Sequence, residues 1–322
     1  MRLFTTLLAA WLVLAGAAAA QAADVLRLAV LKFGTVNWEL NVIQHNGFDT
    51  ANGFSMQVTG MAGGPASKIA FQGGEADIIV SDWIWVARQR AAGRDYVFIP
   101  YSRSVGGLMV PADSPARKLS DLKGQKIGIA GGPLDKSWLI LQAYARQAEG
   151  FDLMGQTEQV LGAPPLLFKK ALQGELQGTI NFWHFIAKMK ASGFRELVSV
   201  ADAAQSLGLD PEMPLLGYVV KGDFARAHPD LVAGFAAASR MAKQKLATDD
   251  AEWDRLRPLM KARSDASFDA LKAGFRAGIP SQEPVDLKAA SKFLALMARL
   301  GGEKLVGNAK SLPDGIFYTA GS

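Results

Sequence analysis

Short apolar runs recur along the chain, and most are followed by a stretch in which apolar residues return at helical spacing. Val25–Lys32 precedes Asn37–Asn46, Ser55–Thr59 precedes Pro65–Gln72, and Asp77–Val80 precedes Trp83–Ala92. Tyr96–Tyr101 and Gly107–Val110 complete this first set. Each run is apolar at nearly every position, as strands covered on both faces require. Strands alternating with helices predict βαβ units and a mostly parallel sheet.

The turn-rich stretch Pro111-Ala-Asp-Ser-Pro115 breaks the pattern, which then restarts. Strands are expected over Lys126–Ala130, Gln159–Leu161, Gly178–Ile180 and Glu196–Val200, with helices over Lys136–Gln147, Pro165–Gln173 and Phe182–Ala191. A second break, Leu209-Asp-Pro-Glu-Met-Pro214, precedes a strand over Leu215–Val220. From Phe224 to Gly301 the spacing is helical, with interruptions at Pro258 and Gly278–Pro280. Helix starts are expected at Asp223, at the Thr248–Asp250 cluster and at Asp286. Two similar α/β units joined by two short proline-containing crossings predict two lobes and a hinge. Lobe I takes residues 24–110 and 215–322, and lobe II takes 111–214.

Five of the seven tryptophans follow predicted strands: Trp38, Trp83, Trp85, Trp138 and Trp183. Ligands of open α/β sheets bind beyond the carboxyl ends of the strands. These five are therefore expected to line a cleft, the alternative being that the indoles pack under loops.

The first residues read as a secretory signal peptide: Arg2, an apolar stretch from Leu3 to Leu14, and an A-x-A site at Ala20-Gln21-Ala22. Cleavage is expected after Ala22 or Ala23, removing residues 1–23 and leaving a periplasmic protein. The apolar stretch falls short of the ~20 residues that span a bilayer. With no cysteine, the chain has no lipidated N-terminal Cys, thiolate metal site, Fe–S cluster or thiol catalysis. Loss of Arg2 lowers the net charge from +5 to +4, and no basic run stands out, which argues against nucleic acid as a partner.

Four segments in order carry a family resemblance: Gly74-Glu-Ala-Asp-Ile-Ile-Val-Ser-Asp82, Leu119-Ser-Asp-Leu-Lys-Gly-Gln-Lys-Ile-Gly-Ile-Ala130, Ala171-Leu-Gln-Gly-Glu-Leu-Gln-Gly178, and the stretch from Leu216 to Val232. The chain resembles the periplasmic substrate-binding proteins of ABC importers for nitrate, taurine, alkanesulfonates and thiamine-pyrimidine precursors. The resemblance implies a type II-like periplasmic binding protein fold: two Rossmann-like lobes, a hinge and a C-terminal helical segment. It also implies a monomer that delivers a small organic molecule to an ABC permease and its ATPase. Gln177 stands where the family usually has an acidic residue, and the aromatic-rich Asn181-Phe-Trp-His-Phe185 follows it, so the ligand is the open question.

Several residues at the predicted strand ends are candidates for ligand contact. Gly131 and Gly132 precede a helix whose N-terminus offers free N–H groups to an anion, or they make a tight turn capped by Asp135. Gly63, in Met61-Ala-Gly-Gly-Pro65, is a similar turn, and Thr35 stands just beyond the first strand. Ser81 and Asp82 end the third strand, where Asp82 either caps a helix or turns its carboxylate to the tryptophans. Arg103 either clamps an anion or is a solvated loop residue. Asn181 and His184 flank Trp183, and His45 and His228 read as structural. Three scattered histidines predict no metal site. Ser81, Asp82 and His184 do not form a hydrolase set, because no G-x-S-x-G elbow is present. No cofactor motif appears, and a binding protein is expected rather than an enzyme. The alternative is a periplasmic accessory or sensor serving a partner enzyme or signalling system.

Overall fold

The structure, a computed structural model, describes residues 24–319, so the expected signal peptide lies outside the described residues. Lobe I opens with β1 (Asp24–Leu31), α1 (Val36–His45), α2 (Phe48–Ala51), β2 (Phe54–Met61) and α3 (Gly64–Gln72). It continues with β3 (Ile78–Asp82), α4 (Trp83–Ala91) and β4 (Tyr96–Ser102). Lobe II holds β5 (Gly107–Pro111), β6 (Lys126–Ala130), α5 (Lys136–Glu149), β7 (Glu158–Gly162), α6 (Pro164–Leu172), β8 (Gly178–Asn181), α7 (Trp183–Lys190), β9 (Phe194–Ser199) and α8 (Val200–Ser206). The chain returns to lobe I through β10 (Leu216–Lys221) and α9 (Gly222–Ala227). It ends with α10 (Pro229–Thr248), α11 (Asp250–Met260), α12 (Asp265–Ala277) and α13 (Leu287–Val306).

Each lobe is built on one five-stranded sheet, in the orders β2-β1-β3-β10-β4 and β7-β6-β8-β5-β9. β1 pairs in parallel with β2 and β3, as β6 does with β7 and β8. β10 and β5 run antiparallel to both of their neighbours. The sheets are thus mixed rather than mostly parallel. A strand that arrives from the other lobe enters at the edge facing that lobe, where the parallel strands end, so it must run against them.

The crossing from lobe I to lobe II lies at residues 103–106, ahead of the Pro111–Pro115 turn. Gly107–Val110, expected in lobe I, belongs to the second sheet, where Leu108 and Met109 pair with Ile180 and Thr179. An apolar run does not show which sheet it joins, and the proline-rich turn after it lies within lobe II. Close approach selects glycine at the crossing. A Cβ on Gly106 would lie 2.2 Å from the Asn181 carbonyl oxygen, and one on Gly107 2.2 Å from the Glu196 carboxylate.

Pro258 lies inside α11 instead of ending it. The helix stops two residues later, so little of the i→i−4 ladder is lost. Asp249 and Asp286 cap α11 and α13, whereas Asp223 sits in the first turn of α9.

Helix α13 decides where the core lies. It packs on α4 of lobe I and α5 of lobe II. One apolar cluster therefore runs from Ile79, Trp83 and Val86 through Phe293, Leu294 and Met297 to Trp138 and Leu141. The other face of the first sheet packs on α1, α10 and α11 around Trp253, Phe235 and Leu28, and a smaller cluster around Leu167 and Met189 supports α6 and α7. A polar group is buried beneath α1, where Glu39 accepts from Lys243 Nζ at 2.9 Å, Ser239 Oγ at 2.6 Å and Tyr218 Oη at 2.9 Å. Buried charge persists in a core when it is paired and hydrogen-bonded in this way.

Candidate functional site at the lobe seam

The parallel strands of both sheets end at a common seam. Helices α1, α3 and α4 start on its lobe I bank, and α5, α6 and α7 on its lobe II bank. Asp82 caps α4 by accepting from the Trp85 N–H at 2.9 Å, and Asp135 caps α5 through the Trp138 N–H at 3.1 Å. Helices α3 and α7 start after Gly63 and Phe182 without a side-chain cap.

An ion pair crosses the seam. Lys136 Nζ lies 2.9 Å from Asp82 Oδ2, with the two side chains 27% and 16% exposed. One Asp82 oxygen therefore caps α4, as one of the two readings expected, and the other is taken by Lys136 of lobe II. Burial pushes its carboxyl up, but Lys136 and Lys68 outweigh this and hold it below the usual carboxylate range. Burial likewise works against the Lys136 ammonium, and Asp82 more than offsets it. Burial raises the Asp135 carboxyl against the helix N–H groups it accepts from.

Lys68, on α3, stands 4.6 Å above the ring of Trp85, which stacks on Tyr96 at 5.7 Å. It makes no ion pair among the described residues, and burial lowers its pKa despite the nearby Asp82. Asp82 is bonded to Lys136 and Asp135 caps α5, so Lys68 is the cation of this corner that has no ion pair of its own among the described residues. Lys68 and Lys136 were not among the residues expected at the site. The available signal was their place near the start of the two helices that follow the glycine turns.

Aromatic rings make the second contact across the seam. Trp38 meets Trp183 edge to face at 6.0 Å, and Phe275 lies against both, at 6.0 and 6.4 Å. Trp183 is half-buried, while Trp38 keeps only 5% of its surface. Thr35, which precedes α1, bonds to the Tyr101 hydroxyl beneath the seam. His184 packs among Phe182, Trp183 and Phe185. Burial and the neighbouring Lys188 lower its pKa to about 3, so the imidazole is neutral at physiological pH.

Other candidates lie elsewhere. Trp83 has no exposed surface and packs on Phe293 and Phe317, and Trp138 is 2% exposed in the same cluster. Both belong to the core and not to a cleft lining, because α13 covers α4 and α5. Asn181 is buried and spends its amide locally, donating to the Pro164 carbonyl at 3.1 Å and accepting from the Phe182 N–H at 2.8 Å. Ser81 is buried at the end of β3. Gly131 and Gly132 adopt φ of 88° and 86°, and a Cβ on Gly131 would lie 2.5 Å from Asp135, so this turn needs glycine for its shape. Gly63 is extended. Arg103 pairs with Glu212 on the returning crossing, and it lines a cavity that neither Asp82 nor Lys136 reaches. Asp82 and Arg103 thus serve different parts of the molecule. Among the described residues no group of three or more His, Cys, Asp or Glu is placed to hold a metal, and no helix is long and apolar enough to cross a membrane.

Two mixed five-stranded sheets, two crossings and strand ends facing one seam define the periplasmic binding protein fold. The structure is similar to the periplasmic aliphatic sulphonate binding protein SsuA from Escherichia coli, with a TM-score of 0.68 and 18% identity over 90% of this chain and 97% of that one. The alkanesulfonate-binding protein SsuA from Xanthomonas axonopodis pv. citri, bound to MOPS, gives 0.69 and 18% over 93% and 99%. An ABC transporter protein from Parabacteroides distasonis gives 0.69 and 15% over 92% and 99%. No curated protein matches the sequence significantly. The NMT1/THI5 like family profile matches residues 39–252, and the chain belongs to that family.

Proposed function

We propose that the protein is the periplasmic solute-binding component of an ABC importer. On this reading it captures a small organic anion at the lobe seam and hands it, unmodified, to a membrane permease. Family membership and fold support the class. The proteins of similar fold named for sulfonate binding support an anionic ligand of the sulfonate type. The observation that carries the sign of charge is Lys68, which makes no ion pair among the described residues and lies over Trp85 beside the Asp82–Lys136 pair. A cationic ligand would have to displace Lys136 from Asp82, while an anion meets Lys68 directly. Trp38 and Trp183, in edge contact across the seam, would part to take the ligand's apolar body, and each Å² they bury yields about 25 cal/mol. Closure of the lobes about the crossings then makes the surface a permease reads.

Calorimetric titration of the mature protein with MOPS and short alkanesulfonates tests this. Binding should be reversible, persist after chelator treatment and return the ligand unchanged by mass spectrometry. Lys68→Gln should lower the affinity at least tenfold while leaving the melting temperature in place. Binding of an organic cation, lost in Asp82→Asn and kept in Lys68→Gln, would overturn the anion assignment.

A further inference from the structure

A cavity of about 520 Å³ lies beside the two crossings, walled by α7 and β9 of lobe II, by α12 of lobe I and by residues of both crossings. Lys68, Asp82, Lys136 and Trp38 take no part in it, and Trp183, which meets Trp38, forms the wall toward the seam. The volume is in the range of small-molecule sites. Its surface has two characters. Trp183, Ile186, Ala270 and Ala273 make an apolar side, and two ion pairs, Arg103–Glu212 and Lys190–Glu196, supply charge of both signs. The Arg103 Nε–H is buried without an acceptor. An unmet donor of this kind is costly, and a carboxylate brought near the guanidinium, with a small turn of the side chain, would relieve it.

The walls approach one another closely. A Cβ on Gly274 of α12 would lie 2.9 Å from the Trp183 ring. One on Gly278 would lie 1.7 Å from Ser104 Oγ on the crossing. Glycine at both positions lets α12 approach α7 and the crossing, and the cavity is what remains between them. A molecule seated there touches both lobes and both connections.

We propose that this cavity is a second small-molecule site, fitted to a zwitterion with an apolar side group of the α-amino acid kind. Its carboxylate accepts from Arg103, its ammonium donates to Glu196, and its side group lies on Trp183 and the α12 alanines. Because the walls come from both lobes, the bound molecule favours the closed arrangement, and closure in turn favours its binding.

The test is calorimetry on the mature chain with L-phenylalanine and L-leucine, against 3-phenylpropionate and phenethylamine. At least one amino acid should bind one per chain, with both single-charge analogues tenfold or more weaker than L-phenylalanine. X-ray scattering should show a smaller radius of gyration when the amino acid is bound. Ala273→Trp, which fills the cavity, should abolish binding with its circular dichroism and melting unchanged. Glu196→Gln should weaken L-phenylalanine and leave 3-phenylpropionate as it was. Lys68→Gln should bind the amino acid as the parent does. Failure of both amino acids to bind, full binding in Ala273→Trp, or loss in Lys68→Gln would each overturn the proposal, the last by placing the molecule at the seam.

Discussion

Trp83 and Trp183 occupy the same place in the two lobes, as the first residue of the helix that follows the third strand of each parallel trio. Trp83 is sealed in the core, while Trp183 is half-buried at the seam. Trp38 and Trp138 form a second such pair, each the third residue of the helix after its lobe's first parallel strand. Trp38 reaches Trp183 across the seam, whereas Trp138 packs in the core that joins the lobes. The difference comes from α13, which covers α4 and α5 and leaves α1 and α7 to face each other. Equivalent local positions therefore acquire different work from what packs over them.

Substitution at the paired positions should expose this difference most strongly in stability. Trp83→Ala empties a core site and should cost about 3–5 kcal/mol in urea unfolding. Trp183→Ala should cost about 1–2 kcal/mol while abolishing the fluorescence response to ligand, because its ring is only partly enclosed. Equal losses at the two positions would erase the distinction.

One residue earlier, lobe I has Asp82 and lobe II has Phe182. Asp82→Ala removes a helix cap worth about 1 kcal/mol and strands Lys136, for about 2 kcal/mol more. Its carboxyl titrates below the unfolded value, so this stability is complete above the ordinary carboxylate range and is lost as pH falls through the folded value. Denaturation midpoints of parent and variant should accordingly converge in acid.

One residue later, Ile84 faces the core and His184 packs beside the seam. His184 has its folded pKa lowered to about 3, against ~6.5 in the unfolded chain, so the unfolded state binds the extra proton between these values. Stability should therefore fall as pH drops from 7 to 5, by about 1 kcal/mol because the residue keeps part of its surface exposed. His184→Phe should flatten that slope, and a nuclear magnetic resonance titration should find the parent imidazole neutral at pH 5. The smallest effect is expected from Phe182→Asp, which gives α7 the cap that α4 has and should stabilise it by about 0.5 kcal/mol. The added charge should at the same time weaken binding of an organic anion.

The alternation of strands and helices was legible because each apolar run and each helical spacing is a local property. Caps such as Asp82, Asp135 and Asp286 were legible for the same reason, since a cap bonds to amides two or three residues ahead. Lys68 was not. Its significance depends on Trp85 lying under it and on Lys136 claiming Asp82 from the other lobe, and no periodicity encodes either contact. The crossing at residues 103–106 was obscured by the stronger turn chemistry of Pro111–Pro115 just beyond it.

By itself the sequence determined the alternation of elements and the two-lobed plan, because backbone preference and apolar spacing act over a few residues. The tertiary structure alone decided that the sheets are mixed, which tryptophans reach the seam, and that Asp82 and Arg103 serve different parts of the molecule. Those outcomes depend on which distant segment, α13, α12 or the opposite lobe, comes to lie against each site, and the packing of segments far apart in the chain is settled only when the whole core closes.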